Sequence, residues 1–194
     1  MIVAALIVAL LVSGSAWAQP MSFGVRAGVP INGPLEDVTR GSIVRTFSDS
    51  NAYVAGVMVE LHLPAGFSVE ADGLYQPLHV TQQFTFGTTV TRTSDSFNSW
   101  VFPIVAKYRF LRLPLAKPYA EAGPSFRAVE HTISYFSKAG LTFGAGIEFK
   151  LSKLRIEPEL RYTRWGADAP ETTTGSNLAP SNVNQVQFLI GLAF

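Results

Sequence analysis

Hydrophobic and polar residues alternate along eight separate stretches of the chain. A period of two places apolar side chains on one face of an extended strand and polar side chains on the other, because successive side chains of a strand point in opposite directions. Turn-forming residues between the stretches support this interpretation. The pattern therefore predicts eight strands, at 23–31, 53–63, 67–76, 100–110, 119–127, 141–150, 154–162 and 185–194.

The connections between the predicted strands alternate in length. Long connections fall at about 32–51, 78–98, 129–140 and 165–184, and short ones near 64–66, 111–117 and 151–153. Bacterial outer-membrane barrels have short periplasmic turns, longer outer loops and an even number of strands. The sequence therefore predicts an all-β fold, an eight-stranded antiparallel up-and-down transmembrane β-barrel.

Three prolines lie inside the predicted strands, at Pro103, Pro124 and Pro158. Proline has no N–H group to donate to a neighbouring strand, so the interior of a sheet tolerates it only at special positions. We expect each proline at a bulge, at a strand end or at a position that lacks a ladder bond, unless the strand boundaries lie a few residues away.

The beginning of the chain has the pattern of a secretory leader. An uninterrupted apolar run at 2–12 is followed by Ala16, Trp17 and Ala18. The run is too short to cross a bilayer core of about 30 Å as a helix. Two alanines separated by one residue of any type form a typical signal-peptide cleavage site. We therefore expect residues 1–18 to be a cleavable signal peptide and residues 19–194 to form the barrel.

Composition excludes several classes of function. Only 15% of the residues are charged and the formal net charge is +1, so the chain offers no electrostatic footprint for nucleic acid. The absence of cysteine excludes disulfides, thiolate nucleophiles and iron–sulfur clusters. His62, His79 and His131 are scattered along the chain, so we predict neither a metal site nor a cofactor.

Charged residues are confined to the non-apolar faces of the predicted strands, and their signs balance. The apolar faces carry aromatic residues near the strand ends. This is typical of a barrel with a lipid-facing exterior and a polar interior, whereas a soluble lipocalin-like barrel, the alternative, has the reverse arrangement. The residues predicted to face the lumen are the basic Arg26, Lys107, Arg109, Arg127, Lys150, Arg155 and Arg161 and the acidic Glu60, Glu70, Asp72, Glu121, Glu148, Glu157 and Glu159.

The strand number limits what this interior can do. Sixteen strands would need about 144 residues for the strands alone, which leaves too few for the loops and excludes a wide porin. The interior of an eight-stranded barrel is just filled by side chains. Buried charges must pair there, because each unpaired one costs several kcal/mol. We therefore predict a luminal ion-pair network of these residues, with a proton or ion pathway as the alternative.

A resemblance to a known family rests on four segments. They read FPIVAKYRF at 102–110, KPYAEAGPSF at 117–126, GLTFGAGIEFKL at 140–151 and VQFLIGLAF at 186–194. Together they resemble the outer-membrane protein β-barrel domain family, relatives of the OmpA and OmpX barrels. The resemblance implies residence in the bacterial outer membrane. It also implies a signal for the barrel-insertion machinery in the last strand, formed by Phe188, Ile190, Leu192 and Phe194.

Some eight-stranded outer-membrane barrels modify lipid A, and a deacylase of this kind needs a histidine close to a serine and an acid. Here Glu130, His131 and Ser134 stand together at the edge of a predicted loop. The chain has no GxSxG, no HExxH and no phosphate-binding glycine loop. We therefore predict no enzymatic activity, and a lipid A-modifying enzyme remains the least favoured alternative.

These observations predict a small, monomeric outer-membrane barrel that contacts membrane lipid. We expect it to serve envelope structure or surface interaction through its four long loops, with an extracellular ligand of those loops as a further partner. The alternative, which belongs to a different class of function, is a narrow channel for small solutes.

Overall fold

The computed structural model describes residues 21–32, 38–40, 44–48, 53–86, 89–111, 113, 115–129, 138–151, 154–166 and 183–194. The signal peptide predicted at 1–18 lies outside them. No helix in these ranges is long and apolar enough to cross a membrane. The described residues contain one 3-10 turn, Pro64–Gly66. The strands are β1 (Met21–Pro30), β2 (Val38–Arg40), β3 (Val44–Ser48), β4 (Val54–His62), β5 (Phe67–Phe86), β6 (Thr89–Arg109), β7 (Ala116–Val129), β8 (Ala139–Leu151), β9 (Leu154–Trp165) and β10 (Asn184–Ala193).

Eight of these strands form a closed barrel in which each strand is antiparallel to its neighbours. The order around the barrel is β1, β4, β5, β6, β7, β8, β9 and β10. The first and last strands close it, with pairs running from Gly24↔Ala193 to Pro30↔Gln187. The prediction of an eight-stranded up-and-down barrel is confirmed. We call the end with the short connections the turn end and the opposite end the loop end.

The prediction of a long loop at 78–98 is wrong. β5 and β6 continue through this stretch and remain paired as far as Phe86↔Thr89. The sequence HVTQQFTF at 79–86 is polar enough to resemble a loop, yet it alternates and is rich in β-branched and aromatic residues, which favour strands. The hairpin therefore extends well beyond the barrel wall.

Two short strands also occupy part of the predicted loop at 32–51. β3 pairs with the far half of β5, from Val44↔Phe84 to Ser48↔Val80. β2 pairs with β3 over three residues. Together with the hairpin, β2 and β3 form a four-stranded sheet outside the barrel, which we call the outer sheet.

Three prolines, Pro103, Pro124 and Pro158, lie where the pairing between two neighbouring strands is interrupted. The pairing resumes after each interruption in the same register. Between β5 and β6 the bonded pairs stop at Ala71↔Ile104 and resume at Leu74↔Val101. Interruptions of the same form occur between β6 and β7 and between β8 and β9. The sequence predicted a bulge, a strand end or a position without a hydrogen bond to the neighbouring strand. The structure shows the last of these for Pro103, Pro124 and Pro158.

The apolar faces of the barrel strands point outward and the charged faces point inward. Val57 and Phe23, for example, are 63% and 52% exposed, whereas Arg26 is 1% exposed. The inverted arrangement of a soluble lipocalin-like barrel is thus not adopted by the described strands.

Aromatic side chains form belts at both ends of this outward face. At the loop end the rings of Tyr53, Tyr75 and Trp100 follow one another at centroid distances of 6.3 and 5.4 Å. At the turn end Phe67 and Tyr108 lie 4.6 Å apart. Aromatic girdles that flank an apolar band are the pattern of a barrel in a bilayer.

Candidate functional site

The interior of the barrel is the site that the sequence singled out. Alternation along each strand directs one set of side chains inward, so residues distant in sequence meet at one height. The structure brings twelve of the fourteen predicted residues into salt bridges. They are Arg26, Glu60, Glu70, Asp72, Lys107, Arg109, Glu121, Glu148, Arg155, Glu157, Glu159 and Arg161.

The middle of the lumen holds three cations and five carboxylates, which we call the central layer. Its members are Arg26, Glu70, Asp72, Lys107, Glu121, Glu157, Glu159 and Arg161. The Arg26 guanidinium lies 2.9 Å from Glu70 Oε1 and 3.1 Å from Glu159 Oε2. Arg26 stands on β1, so these contacts cross the lumen rather than follow one strand pair.

Lys107 and Arg161 complete the central layer. Lys107 Nζ donates to Glu70 Oε2 at 2.6 Å and to Glu157 Oε2 at 3.0 Å. Arg161 contacts Asp72 at 2.6 Å, Glu159 at 2.7 Å and Glu121 at 2.9 Å. Each cation therefore serves several carboxylates, and the layer is one connected network.

Tyr119 joins this network without carrying a charge. Its hydroxyl donates to Glu159 Oε2 at 2.8 Å. The Lys107 ammonium lies 4.6 Å from the centre of its ring, within the range of a cation–π interaction. Sequence reasoning placed Tyr119 on the inner face but gave it no role.

A second group of charges, the lower layer, lies toward the turn end. It consists of Glu60, Arg109, Lys117, Glu148 and Arg155. Arg109 contacts Glu60 at 2.6 Å and Glu148 at 2.7 Å, and it donates to the Ser68 hydroxyl at 2.8 Å. Arg155 contacts Glu60 at 3.1 Å, and Lys117 contacts Glu148 at 3.2 Å.

Lys150 is the predicted luminal residue that the structure contradicts. It is exposed, because it stands next to the last residue of β8, where the strand leaves the barrel at the turn end. Lys117 takes part in the lower layer, and the sequence analysis missed it. Lys117 lies on the same face of β7 as Tyr119 and Glu121. This signal was lost because the predicted strand began at residue 119, three residues after the observed start at Ala116.

Arg127 lies apart from both layers, toward the loop end. Its guanidinium is stacked 3.7 Å from the centre of the Trp165 ring and donates to Gln185 Oε1 at 2.9 Å. Trp165 Nε1 donates to the same oxygen at 3.0 Å. A buried apolar cluster lies at this level, formed by Val54, Leu74, Val101, Trp165 and Leu189.

Three carboxylates of the central layer have the spacing of a metal site. One oxygen each from Glu70, Glu121 and Glu159 lies within 4.8 Å of the others. Each of these groups pairs with Arg26, Lys107 or Arg161. The positive charge that a cation would supply is thus already supplied by the chain.

The positions predicted to form an assembly signal share the outward face of β10. Phe188, Ile190 and Leu192 are 41%, 44% and 38% exposed, and Phe194 beyond the strand is 72% exposed. Phe194 is held to β1 by reciprocal backbone hydrogen bonds with Phe23, at 3.0 and 3.2 Å. Glu130, His131 and Ser134, the candidate residues for lipid A chemistry, lie outside the described residues.

Comparison with known proteins connects this barrel to others. Among solved structures it is similar to the crystal structure of the outer membrane protein OprG from Pseudomonas aeruginosa, with 12% identity, a TM-score of 0.57 and coverage of 89% of this chain and 92% of that chain. It is also similar to the solid-state NMR structure of the outer membrane protein AlkL in DMPC lipid bilayers, with 14% identity, a TM-score of 0.50 and coverage of 93% and 92%. No curated protein matches the chain.

Identities this low show the fold alone. The family comes from a separate comparison, in which the family model for the outer membrane protein beta-barrel domain matches residues 4–194. Since the match spans nearly the whole sequence and agrees with the closed eight-stranded barrel, the chain belongs to the outer membrane protein beta-barrel domain family.

Proposed function

We propose that this protein is a non-catalytic, monomeric outer-membrane barrel with a lumen closed by ion pairs. Its role lies in envelope structure or in surface interaction through the parts of the chain outside the membrane. The family supports residence in the outer membrane. The closed lumen and the role are our own inference from the arrangement of side chains.

One observation carries the proposal of a closed lumen. The side chains of Arg26, Glu70, Lys107 and Glu157 meet across the barrel and are 0% exposed. A continuous column of water through the lumen would leave charged side chains accessible along its path. The apolar cluster that contains Trp165 and Leu74 also fills the lumen, nearer the loop end, so water would meet a second barrier there.

A narrow channel is the alternative, and one feature of the central layer favours it. The layer contains five carboxylates against three cations, so a conducting state would prefer cations. A measurement in planar bilayers distinguishes the two functions. We expect the purified, refolded chain to show no steady single-channel conductance, and a stable open level that favours cations would replace our proposal with the channel.

The outer sheet is the part best suited to surface interaction. β5 continues from Tyr75 in the aromatic belt to Phe86 at its end, about 36 Å of strand at about 3.3 Å per residue. A paired hairpin of this length, joined by β3 along its side, presents a structured surface to an extracellular ligand.

Export and assembly complete the proposal. We infer that residues 1–18 direct export and are removed, and that Phe194 with the outward residues of β10 is recognised by the barrel-insertion machinery. The exposure of Phe194 and its position at the seam between β10 and β1 support this role. A lipid A-modifying activity would require His131, so loss of such an activity in His131→Ala would overturn the non-catalytic proposal.

A further inference from the structure

A groove crosses the outward face of the barrel at the turn end, on β1, β4, β5 and β6. It has a volume of about 520 Å³. It begins beside Phe194 and Phe23, passes Val57 and Ala71, and ends at Gly73 and Phe102. We propose that this groove binds one acyl chain of a phospholipid from the leaflet on the turn side of the membrane.

The groove exists because a large side chain is missing at one position. Among the described strands, Gly73 is the one glycine on the outward face. A Cβ atom at Gly73 would lie 3.8 Å from the side chains of Phe102 and Val57, an ordinary van der Waals distance. Neither a close approach of the backbone nor a positive φ therefore requires glycine here. Its effect is to leave space between flanking side chains.

Two rows of paired residues define the direction of the groove. One row follows the pairs Val25↔Val57 and Val57↔Gly73, and the other follows Phe23↔Val59 and Val59↔Ala71. The groove thus runs across the strands rather than along them. From the end of β10 to β6 it spans four strand spacings, about 19 Å at about 4.8 Å each.

This length matches one leaflet of a bilayer. Strands of outer-membrane barrels are tilted by about 35–45°, so a groove across them is inclined to the membrane normal by about 50°. Its depth along the normal is then about 12 Å, which fits within half of a hydrocarbon core of about 30 Å. Phe102 closes the far end of the groove, and its ring stacks against Trp100 at a centroid distance of 6.4 Å.

The chemistry of the lining selects an apolar occupant. The side chains that face outward along the groove are those of Phe23, Val25, Val57, Val59, Ala71 and Phe102. They lie between the two aromatic belts, at the depth where the surroundings are lipid tails. The occupant is therefore a hydrocarbon chain. The proposal requires only that the barrel reside in a membrane, and it stands whether or not the lumen conducts.

The test fills the groove and measures retained phospholipid. Ala71→Leu and Gly73→Leu place bulk in the groove, and Ala145→Leu, on the exposed outward face of β8, is the matched control. The full chain would be refolded in detergent with a limiting amount of phosphatidylethanolamine, and the bound phospholipid counted by native mass spectrometry. A gel-mobility shift on boiling verifies the folding of each variant.

We expect one phospholipid per barrel for the wild type and for Ala145→Leu, and at least fivefold lower occupancy for the two groove variants. Equal occupancy in all four proteins would overturn the proposal. So would a dimer that forms in the wild type and is lost in the groove variants, because the groove would then be a contact between two copies. Cross-linking with a diazirine-bearing acyl chain in bilayers adds a second readout, with labelling expected on β4 and β5 in preference to β8.

Discussion

Lys107 Nζ lies 2.6 Å from Glu70 Oε2, and both side chains are completely buried in the middle of the barrel. The two residues stand on neighbouring strands, β6 and β5, and Lys107 reaches on to Glu157 on β9. The pair thus connects opposite walls of the lumen, so its removal is expected to affect the whole barrel rather than one hairpin.

Lys107→Ala should destabilise the barrel by about 3–5 kcal/mol, because it removes the closest cation of Glu70 and Glu157 and leaves the five buried carboxylates of the central layer with two cations. The matched control is Lys150→Ala, since Lys150 is exposed and its loss should change stability by less than about 0.5 kcal/mol. The measurement is the urea midpoint of the folded protein in detergent. Similar shifts for the two variants would contradict a structural role for the buried pairs.

Arg161→Lys tests whether geometry matters beyond charge. Arg161 contacts Asp72, Glu121 and Glu159 through three different nitrogens, and the single ammonium of lysine cannot reproduce this fork. We expect a loss of about 1.5–3 kcal/mol, the value of one hydrogen bond to a charged group. Arg164→Lys on the exposed side of the same strand should leave the urea midpoint unchanged. An unchanged midpoint for Arg161→Lys would show that charge alone suffices.

Phe194→Asp should lower the amount of barrel inserted in cells several-fold while export continues. The control is Phe110→Asp, which also introduces a charge in place of an exposed phenylalanine at the turn end. The measurement is the quantity of heat-modifiable protein in the outer-membrane fraction. If both variants insert equally well or equally badly, Phe194 acts as lipid-facing surface and not as a signal.

The protein in cells should fractionate with outer membranes, resist extraction by carbonate and migrate faster on a gel before boiling than after it. Its mass should be that of residues 19–194, since the predicted signal peptide ends at Ala18. Recovery in the soluble periplasmic fraction would contradict the membrane location, and an intact N-terminus would contradict the cleavage.

The outer sheet should be dispensable for folding. The pairing between β6 and β7 extends from Ser99 to Arg109, so the barrel wall does not include the part of β6 before Ser99. Replacing residues 78–97 with Asn-Gly would join the paired residues Pro77 and Asn98 by a tight turn. We expect a urea midpoint within about 1 kcal/mol of the wild type and loss of any binding to cells or matrix. A variant that fails to insert would assign the hairpin a role in assembly.

Alternation along the chain was sufficient to predict the fold, because lipid outside and charge inside make the two faces of each strand chemically distinct. The same pattern placed Glu70 and Lys107 in the lumen. The pattern did not show that Lys117 contributes to the lumen and Lys150 does not. Alternation indicates which face of a strand a residue occupies, but not whether the residue lies within the barrel or beyond its end. It also gave no indication of which carboxylate pairs with which cation, since that depends on contacts across the lumen between strands that are not neighbours.

The outer hairpin escaped prediction for a different reason. Outside a bilayer both faces of a strand meet water, so the contrast between the faces of HVTQQFTF is weak. Its weak alternation and its content of β-branched and aromatic residues indicated a strand, whereas its glutamines suggested a loop.

The length of this hairpin also determines what an approaching particle meets first. With β5 and β6 paired out to Phe86 and Thr89, the end of the hairpin stands tens of ångströms from the aromatic belt at Tyr75. A phage, an antibody or a neighbouring cell would reach this end before any part of the wall. If the loop end faces the cell exterior, as we propose, a peptide epitope inserted between Phe86 and Thr89 would be displayed at the cell surface, far from the charged side chains buried in the lumen.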